Sequence, residues 1–311
     1  MDKILLIDSL NFIWRAYAGF GFQKQSHESC LDISCSHKLR LQDKQHCSCG
    51  QEWMHEEGRC FSQANEHYIL IFNFFRNLRP IIEQFSPDKC FFVLEGHPQF
   101  RYDLYSDYKA NRLIKTASKQ EEMAKFHSSK NEIIRLLQHL PVTIAKAAHY
   151  ECDDVIATLC HNMQEEDLTV VSSDTDFIQL LQKDYRSCKL YNSIKKEYMA
   201  APAYPYVAWK CLAGDKSDNI PALLKPKKAL EAVNNPSIFA KFLELEENRA
   251  NFNINRQLIE FKLVPEEEIE IREGVADFDS LKKEFELMKF DSIINDKSWA
   301  KYTETFKCLK Y

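Results

Sequence analysis

Short apolar runs alternate along this chain with longer stripes of helical period, and several of the runs end in an acid. Lys3-Ile4-Leu5-Leu6-Ile7 closes on Asp8, Cys90 to Leu94 closes on Glu95, and Leu168 to Val171 is followed by Asp174 and Asp176. Uninterrupted apolar runs of this length read as buried strands. Between them lie helical patterns over Ser9 to Phe20, Ala64 to Phe85, Lys130 to Leu140 and a stretch opening near Cys152. The second carries Ile69, Phe72, Phe75, Leu78 and Ile82 on one side, with an interruption expected near Pro80. The last places Val155, Ile156, Leu159 and Cys160 on its apolar side. Val142 to Ala145 and Cys188 to Asn192 read as further strands, and Thr175 to Leu181 as a short helix. Strands alternating with helices predict an α/β fold, with a central parallel sheet covered by helices on both faces.

After Ala200 the strand signal fades. Tyr204 to Leu212, Lys225 to Val233, Ser237 to Glu246 and Asn251 to Phe261 read as helices, Pro265 to Glu273 as an acidic connector, and Phe278 to Phe306 as a helical tail. The expected division is an α/β domain over residues 1–200, a smaller helical domain over 201–262 and a tail over 263–311. Residues 22–63 break the α/β rhythm and read as a polar insertion rich in Cys and His.

Composition narrows the class. The chain has 311 residues, a formal net charge of −5 and no apolar run long enough to span a membrane. It opens directly into a strand, so no signal peptide is expected. The eleven cysteines are an odd number, and Cys90, Cys160 and Cys211 sit within apolar elements. That pattern suits a reducing compartment rather than a disulfide framework.

The acids supply the candidate chemistry. Glu151, Asp153 and Asp154 open a helix, Asp174 and Asp176 follow a strand, and Asp8, Glu95, Asp215 and Asp218 sit at turns. A single such Asp is most often a helix cap or loop residue. Gathered at one sheet edge, the set repels itself unless a cation lies among it. Oxygen donors without Cys or His suit Mg²⁺ or Mn²⁺. Residues 99–125 are basic, with Arg101, Lys109, Arg112, Lys115 and Lys119 interleaved with Tyr102, Tyr105 and Tyr108. Alone, that stripe reads as a solvated helix face; beside the acids it reads as a phosphate-binding surface.

Taken together, these residues resemble the 5′-nucleases of bacteriophages and of the N-terminal domain of bacterial DNA polymerase I, a PIN-like 5′-nuclease fold related to the flap endonucleases. The resemblance rests on Leu5-Leu6-Ile7-Asp8-Ser9, on Phe100-Arg101 with Tyr105-Ser106-Asp107-Tyr108-Lys109-Ala110-Asn111-Arg112, and on Glu151-Cys152-Asp153-Asp154. Asp174-Thr175-Asp176 and Gly214-Asp215-Lys216-Ser217-Asp218-Asn219-Ile220-Pro221 complete it. It implies two divalent ions, Mg²⁺ or Mn²⁺. Asp8, Glu151, Asp153 and Asp154 fall nearer the first, Asp174, Asp176, Asp215 and Asp218 nearer the second, and Glu95 stands where the family usually has Asp. It further implies that Lys109, Arg101 and Arg112 contact phosphates, and that Tyr108 stacks on a frayed base. The implied partners are DNA with 5′ flaps or ends, RNA–DNA hybrids and replication proteins. The setting is the cytoplasm of a bacterial cell or phage-infected host, with the chain a monomer. Where the family has a glycine-rich helix-hairpin-helix, Ala222 to Lys228 has no glycine, so grip on duplex is expected from Lys225, Lys227 and Lys228, with Lys115 and Lys119 as further nucleic-acid contacts.

Two other functions fit parts of the sequence. A nucleic-acid-binding protein of the same fold with weak or no catalysis would not account for carboxylates facing phosphates. An aspartyl-type phosphohydrolase would use a nucleophilic Asp, but Asp174-Thr175-Asp176 follows the fourth strand, not the first. In the insertion, Cys35, Cys47, Cys49 and Cys60 are expected to hold a structural Zn²⁺, with Cys30 or His37 as substitutes; reduced thiols in a loop are the alternative.

Overall fold

The computed structural model describes residues 1–18, 53–56, 59–62, 66–112 and 116–310. Seven strands form one sheet: β1 (Lys3–Asp8), β4 (Lys89–Leu94), β5 (Thr143–Ala147), β6 (Asp167–Val171), β7 (Ser187–Asn192), β8 (Glu197–Met199) and β9 (Ile269–Glu273), in the order β8-β7-β6-β1-β4-β5-β9. β2 (Trp53–Glu56) and β3 (Arg59–Ser62) pair as a separate antiparallel ribbon inside the insertion.

β1 lies in the middle of the sheet, and Ile4 to Ile7 are each at most 2% exposed. That is why its sequence is continuously apolar rather than alternating. β1 runs parallel to β6, with Leu6 opposite Val170, and β6 runs parallel to β7. The sheet is not wholly parallel, because β8 returns antiparallel to β7. The reversal needs no crossover helix: the Asn192 side-chain oxygen accepts the amides of Ile194 and Lys195, each at 3.0 Å, and closes a tight turn. The acidic connector supplies a further strand, β9, whose residues are mostly exposed, so its charged sequence carries no apolar alternation.

The chain divides into two compact units. The first comprises residues 1–9, 91–115 and 144–271; the second comprises residues 10–90, 116–143 and 272–311. In the first, α5 (Cys152–Asn162) packs Val155, Ile156, Leu159 and Cys160 against Ile4, Leu6, Leu168 and Val170 of the sheet. A second cluster joins α6 (Tyr206–Ala213), α7 (Pro226–Asn234) and α9 (Glu246–Ile259) through Cys211, Leu212, Ala229, Ala232 and Leu258.

The second unit is built on α2 (Glu66–Phe85), whose Leu70, Ile71, Phe74, Phe75, Leu78, Ile81 and Ile82 form a buried stripe of helical spacing. Phe75 meets Phe285 edge-on at 5.1 Å. The helix runs through Pro80 without interruption. Pro80 is exposed, so the hydrogen bond it cannot donate is missing on the solvent side of the helix, where a proline is tolerated. No helix among the described residues is long and apolar enough to cross a membrane.

Candidate active site

The sheet order brings the strand-end acids together. β1 and β6 are neighbours, so Asp8 and Ser172 lie side by side, and the Ser172 hydroxyl donates to Asp8 Oδ2 at 2.9 Å. The Asp174 amide donates to the same Ser172 oxygen at 3.1 Å. Glu95 follows β4, on the other side of β1. Gly96 lets the chain pass there: a Cβ at this position would fall 2.0 Å from the Ala147 carbonyl oxygen and 2.4 Å from that of Tyr150. Glu95 Oε2 consequently accepts the Cys152 amide at 3.0 Å, at the start of α5, where Asp153 stands in the first turn. Burial and the Glu151 carboxylate push Glu95 up to about 7. Burial, with Asp174, Glu95 and Asp8 around it, pushes Asp153 well up. Asp8 Oδ1 lies 3.8 Å from the Cys152 sulfur, so Asp8 and Glu95 both approach the start of α5 beside Asp153, a crowding of carboxylates that a cation would relieve.

Asp154 is placed differently from the expected ligands. It is fully buried, and both its oxygens are taken by the Arg101 guanidinium, at 2.5 and 2.8 Å. Its Oδ1 also accepts the Lys262 amide at 2.8 Å. Arg101 is 2% exposed, and it further donates to Glu151 at 2.9 Å and to the Leu258 carbonyl at 3.2 Å. Arg101 and Asp154 thus form a buried bidentate pair, with neither side chain open to the surface. The fork geometry of Arg suits a bidentate partner of this kind.

Tyr108 is enclosed as well. It is 2% exposed, with its hydroxyl donating to Glu151 at 2.9 Å and 3.3 Å from an Asp218 oxygen, so its ring is not available to a base. Burial and the Glu151 and Asp218 carboxylates push the phenol far up, which keeps it a donor. Glu151 is held by Arg101, Tyr108 and Lys109 together.

The Tyr105–Arg112 and Gly214–Asn219 motifs dock on each other. The Lys109 amide donates to the Asp218 carbonyl at 2.9 Å. Asn219 donates to the Asp107 carbonyl at 2.8 Å, and Asn111 to the Lys216 carbonyl at 2.7 Å. Gly214 makes the second motif's turn: its φ is +71°, and a Cβ would lie 2.6 Å from the Ala222 nitrogen. Arg112 is bonded to Asp218, and just over half of its side chain remains exposed. The Lys109 ammonium contacts Glu151 and lies 3.8 Å from Asp218. Burial works against its charge, but Glu151, Asp218 and Glu95 hold its pKa above the ordinary lysine value.

A second acidic set consists of Asp176, Asp215 and Asp218, whose nearest oxygens all lie within 4.8 Å of one another. Lys210, on α6, enters this set. Its ammonium contacts Asp176 and lies 2.7 Å from Asp215, with its side chain 7% exposed. Burial alone would raise Asp215, but Lys210 and the Ser217 hydrogen bonds bring it down to about 2. No motif singles out Lys210 in the sequence. Its one signal is a lysine set among Trp209, Cys211 and Leu212 shortly before Gly214-Asp215.

The other expected nucleic-acid contacts are lysines. Lys119 is exposed on α4 (Ala117–Leu137), and Lys115 lies outside the described residues. Lys225, Lys227 and Lys228 are exposed at the start of α7. The amides of Leu223 and Leu224 both donate to the Leu212 carbonyl, at 2.8 and 2.9 Å, so this turn does not turn them towards an anion. Cys35, Cys47 and Cys49 lie outside the described residues, and of Cys60 only its backbone place in β3 is described.

Residues 52–204 match the family described as "5′-3′ exonuclease, N-terminal resolvase-like domain". The chain is 28% identical over 224 residues to the 5′-3′ exonuclease of Bacillus subtilis (strain 168), covering 68% of this chain and 69% of that protein. It is 30% identical over 175 residues to DNA polymerase I of Streptococcus pneumoniae (strain ATCC BAA-255 / R6), covering 52% of this chain. It spans only 19% of that polymerase's length. Its fold matches the crystal structure of the bacteriophage T5 flap endonuclease in complex with DNA and metal ions, with a TM-score of 0.54, 12% identity, and 98% and 97% of the two chains covered. Residues 52–204 thus match a 5′-3′ exonuclease N-terminal domain, and the chain shares the fold of that flap endonuclease.

Proposed function

We propose that this protein is a divalent-metal-dependent 5′-nuclease that hydrolyses phosphodiester bonds in DNA carrying 5′ flaps or ends, and in RNA–DNA hybrids. The observation that carries this reading is the convergence of Asp8, Glu95 and Asp153 at the centre of one sheet edge, with Lys109 and Arg112 at its rim. The donor set fits hard cations, because it is built of carboxylate oxygens whose crowding is otherwise unfavourable. Asp8, Glu95 and Asp153 would hold one ion, and Asp176, Asp215 and Asp218 a second, with Asp174 between them. Ions bound there supply Lewis-acid activation of water and charge stabilisation at the leaving oxygen.

The chain's own residues do the rest. Arg112 and Lys109 orient the scissile phosphate, each fixed in place by Asp218. Glu151 is a positioning residue that ties Lys109 to the buried Arg101 and Tyr108. Lys225, Lys227 and Lys228 grip duplex by charge, since the amides beside them are used internally. Mg²⁺ or Mn²⁺ as the ion, replication proteins as partners, action as a monomer and work in the cytoplasm of a bacterial cell or infected host belong to the same proposal. The test is a 5′-labelled DNA flap and an RNA–DNA hybrid incubated with Mg²⁺, with and without EDTA. Cleavage of either that EDTA abolishes supports the proposal; no cleavage of either, or cleavage that EDTA leaves intact, contradicts it.

A further inference from the structure

The two acidic sets differ in one respect that the proposed function does not use. Lys210 reaches the Asp176 and Asp215 oxygens from inside the protein, and little of its side chain sees solvent. It is thus no loose surface partner. An ammonium donates along N–H bonds to carboxylate lone pairs, and a hard divalent ion takes the same lone pairs. A lysine charge and a divalent ion brought to the same carboxylates repel each other. The two cations cannot both hold Asp176 and Asp215 at full strength.

We infer that Lys210 is a built-in counter-ion of the second carboxylate set, which holds Asp176 and Asp215 together in the metal-free protein and must give way when an ion enters. This rests on the reading of both sets as ion sites. It makes the sites unequal. The set at Asp8, Glu95 and Asp153 takes its ion first, and the set at Asp176, Asp215 and Asp218 takes the second ion more weakly, in competition with Lys210. Lys210 is then a positioning residue that sets occupancy of the second site.

The test is Mn²⁺ binding at fixed pH, followed by the electron paramagnetic resonance signal of the free ion, on the full chain. Wild type is expected to bind two ions with distinct affinities. Lys210→Met is expected to tighten the weaker class by about tenfold or more, the scale of one nearby charge, and to leave the tighter class unchanged. Lys210→Arg keeps the charge and is expected to stay near wild type. A lysine that merely shaped the site would have the opposite sign, since its loss would loosen the weaker class. Unchanged or weakened second-ion binding in Lys210→Met therefore overturns the inference. One bound ion in both proteins overturns it too, while leaving the Asp8 set as an ion site; no bound ion in wild type removes the metal reading itself. Thermal melting covers a poorly folding variant. In chelator Lys210→Met is expected to melt below wild type, and Mn²⁺ to raise its melting temperature by more than it raises that of wild type; equal rises overturn the inference.

Discussion

Lys109 and Asp218 are joined twice: the Lys109 amide donates to the Asp218 carbonyl at 2.9 Å, and its ammonium lies 3.8 Å from the Asp218 carboxylate. Lys109 adopts a φ of +55° and the next residue after Asp218, Asn219, a φ of +60°. Two motifs far apart in the chain are thereby fixed against each other, and the lysine is held at the acids rather than left to sweep through solvent. Positive φ in residues other than glycine has a cost that surrounding contacts must offset, and such sites are often functional.

Lys109→Ala is expected to slow cleavage by about a hundredfold or more, the range seen when one preorganised charge is removed from a reacting phosphate or oxyanion. It is also expected to reduce the salt dependence of DNA binding by about one phosphate contact. Single-turnover rates and binding at several salt concentrations measure both. An unchanged rate with an unchanged salt slope would return Lys109 to a purely structural tie.

Arg101 and Asp154 give a prediction of another kind. Removing one partner of a buried, bidentate pair leaves an uncompensated charge, so Arg101→Met is expected to destabilise the fold by about 3–5 kcal/mol. Replacing both partners with apolar residues is expected to recover part of that loss. Asp154→Asn is expected to lower stability while leaving divalent-ion affinity near wild type. Denaturant melts with ion titrations decide it; loss of ion affinity with stability intact would make Asp154 a ligand after all.

The acids at the ends of β1, β4 and β6 were legible because an apolar run that stops at a carboxylate is a visible pattern. Their grouping followed from the rule that sites in such sheets lie beyond the strand ends. Which charged residues turn inward was not legible. Arg101, Tyr108 and Lys109 stand close together in one polar stretch, yet only the fold shows that the first two are buried and committed to Glu151 and Asp154. Lys210 escaped for the same reason. β8 and β9 escaped because short edge strands tolerate charged side chains and carry no apolar alternation.

Glu95 predicts a pH dependence in the chelated protein. Its carboxyl is raised from 4.5 to about 7, with burial first and Glu151 next as causes. A carboxyl raised on folding contributes stability that is present below about 4.5 and lost as pH rises through about 7. In EDTA the melting temperature is therefore expected to rise as pH falls from 8 towards 5, and Glu95→Gln to flatten that rise. Saturating Mg²⁺ is expected to flatten it as well, by compensating the ionised form. A melting temperature that falls over this interval in EDTA would contradict the assignment.

Neutralising Lys225, Lys227 and Lys228 together is expected to weaken binding to duplex more than to single-stranded DNA. Three lost phosphate contacts correspond to a fall of about 2 to 3 in the salt slope. Equal losses on both substrates would remove these lysines from the duplex grip.

The central claim is that the carboxylates at the sheet edge exist to hold divalent ions for phosphodiester hydrolysis. Asp153 tests it most directly, because it opens α5 among Asp8, Glu95 and Asp174. The measurement is single-turnover cleavage of a 5′-labelled flap in Mg²⁺ by Asp153→Ala, alongside its DNA affinity. The account predicts a loss of cleavage beyond about a hundredfold, with affinity for DNA unchanged or higher, since a charge that repels phosphate has been removed. Cleavage near the wild-type rate would contradict it.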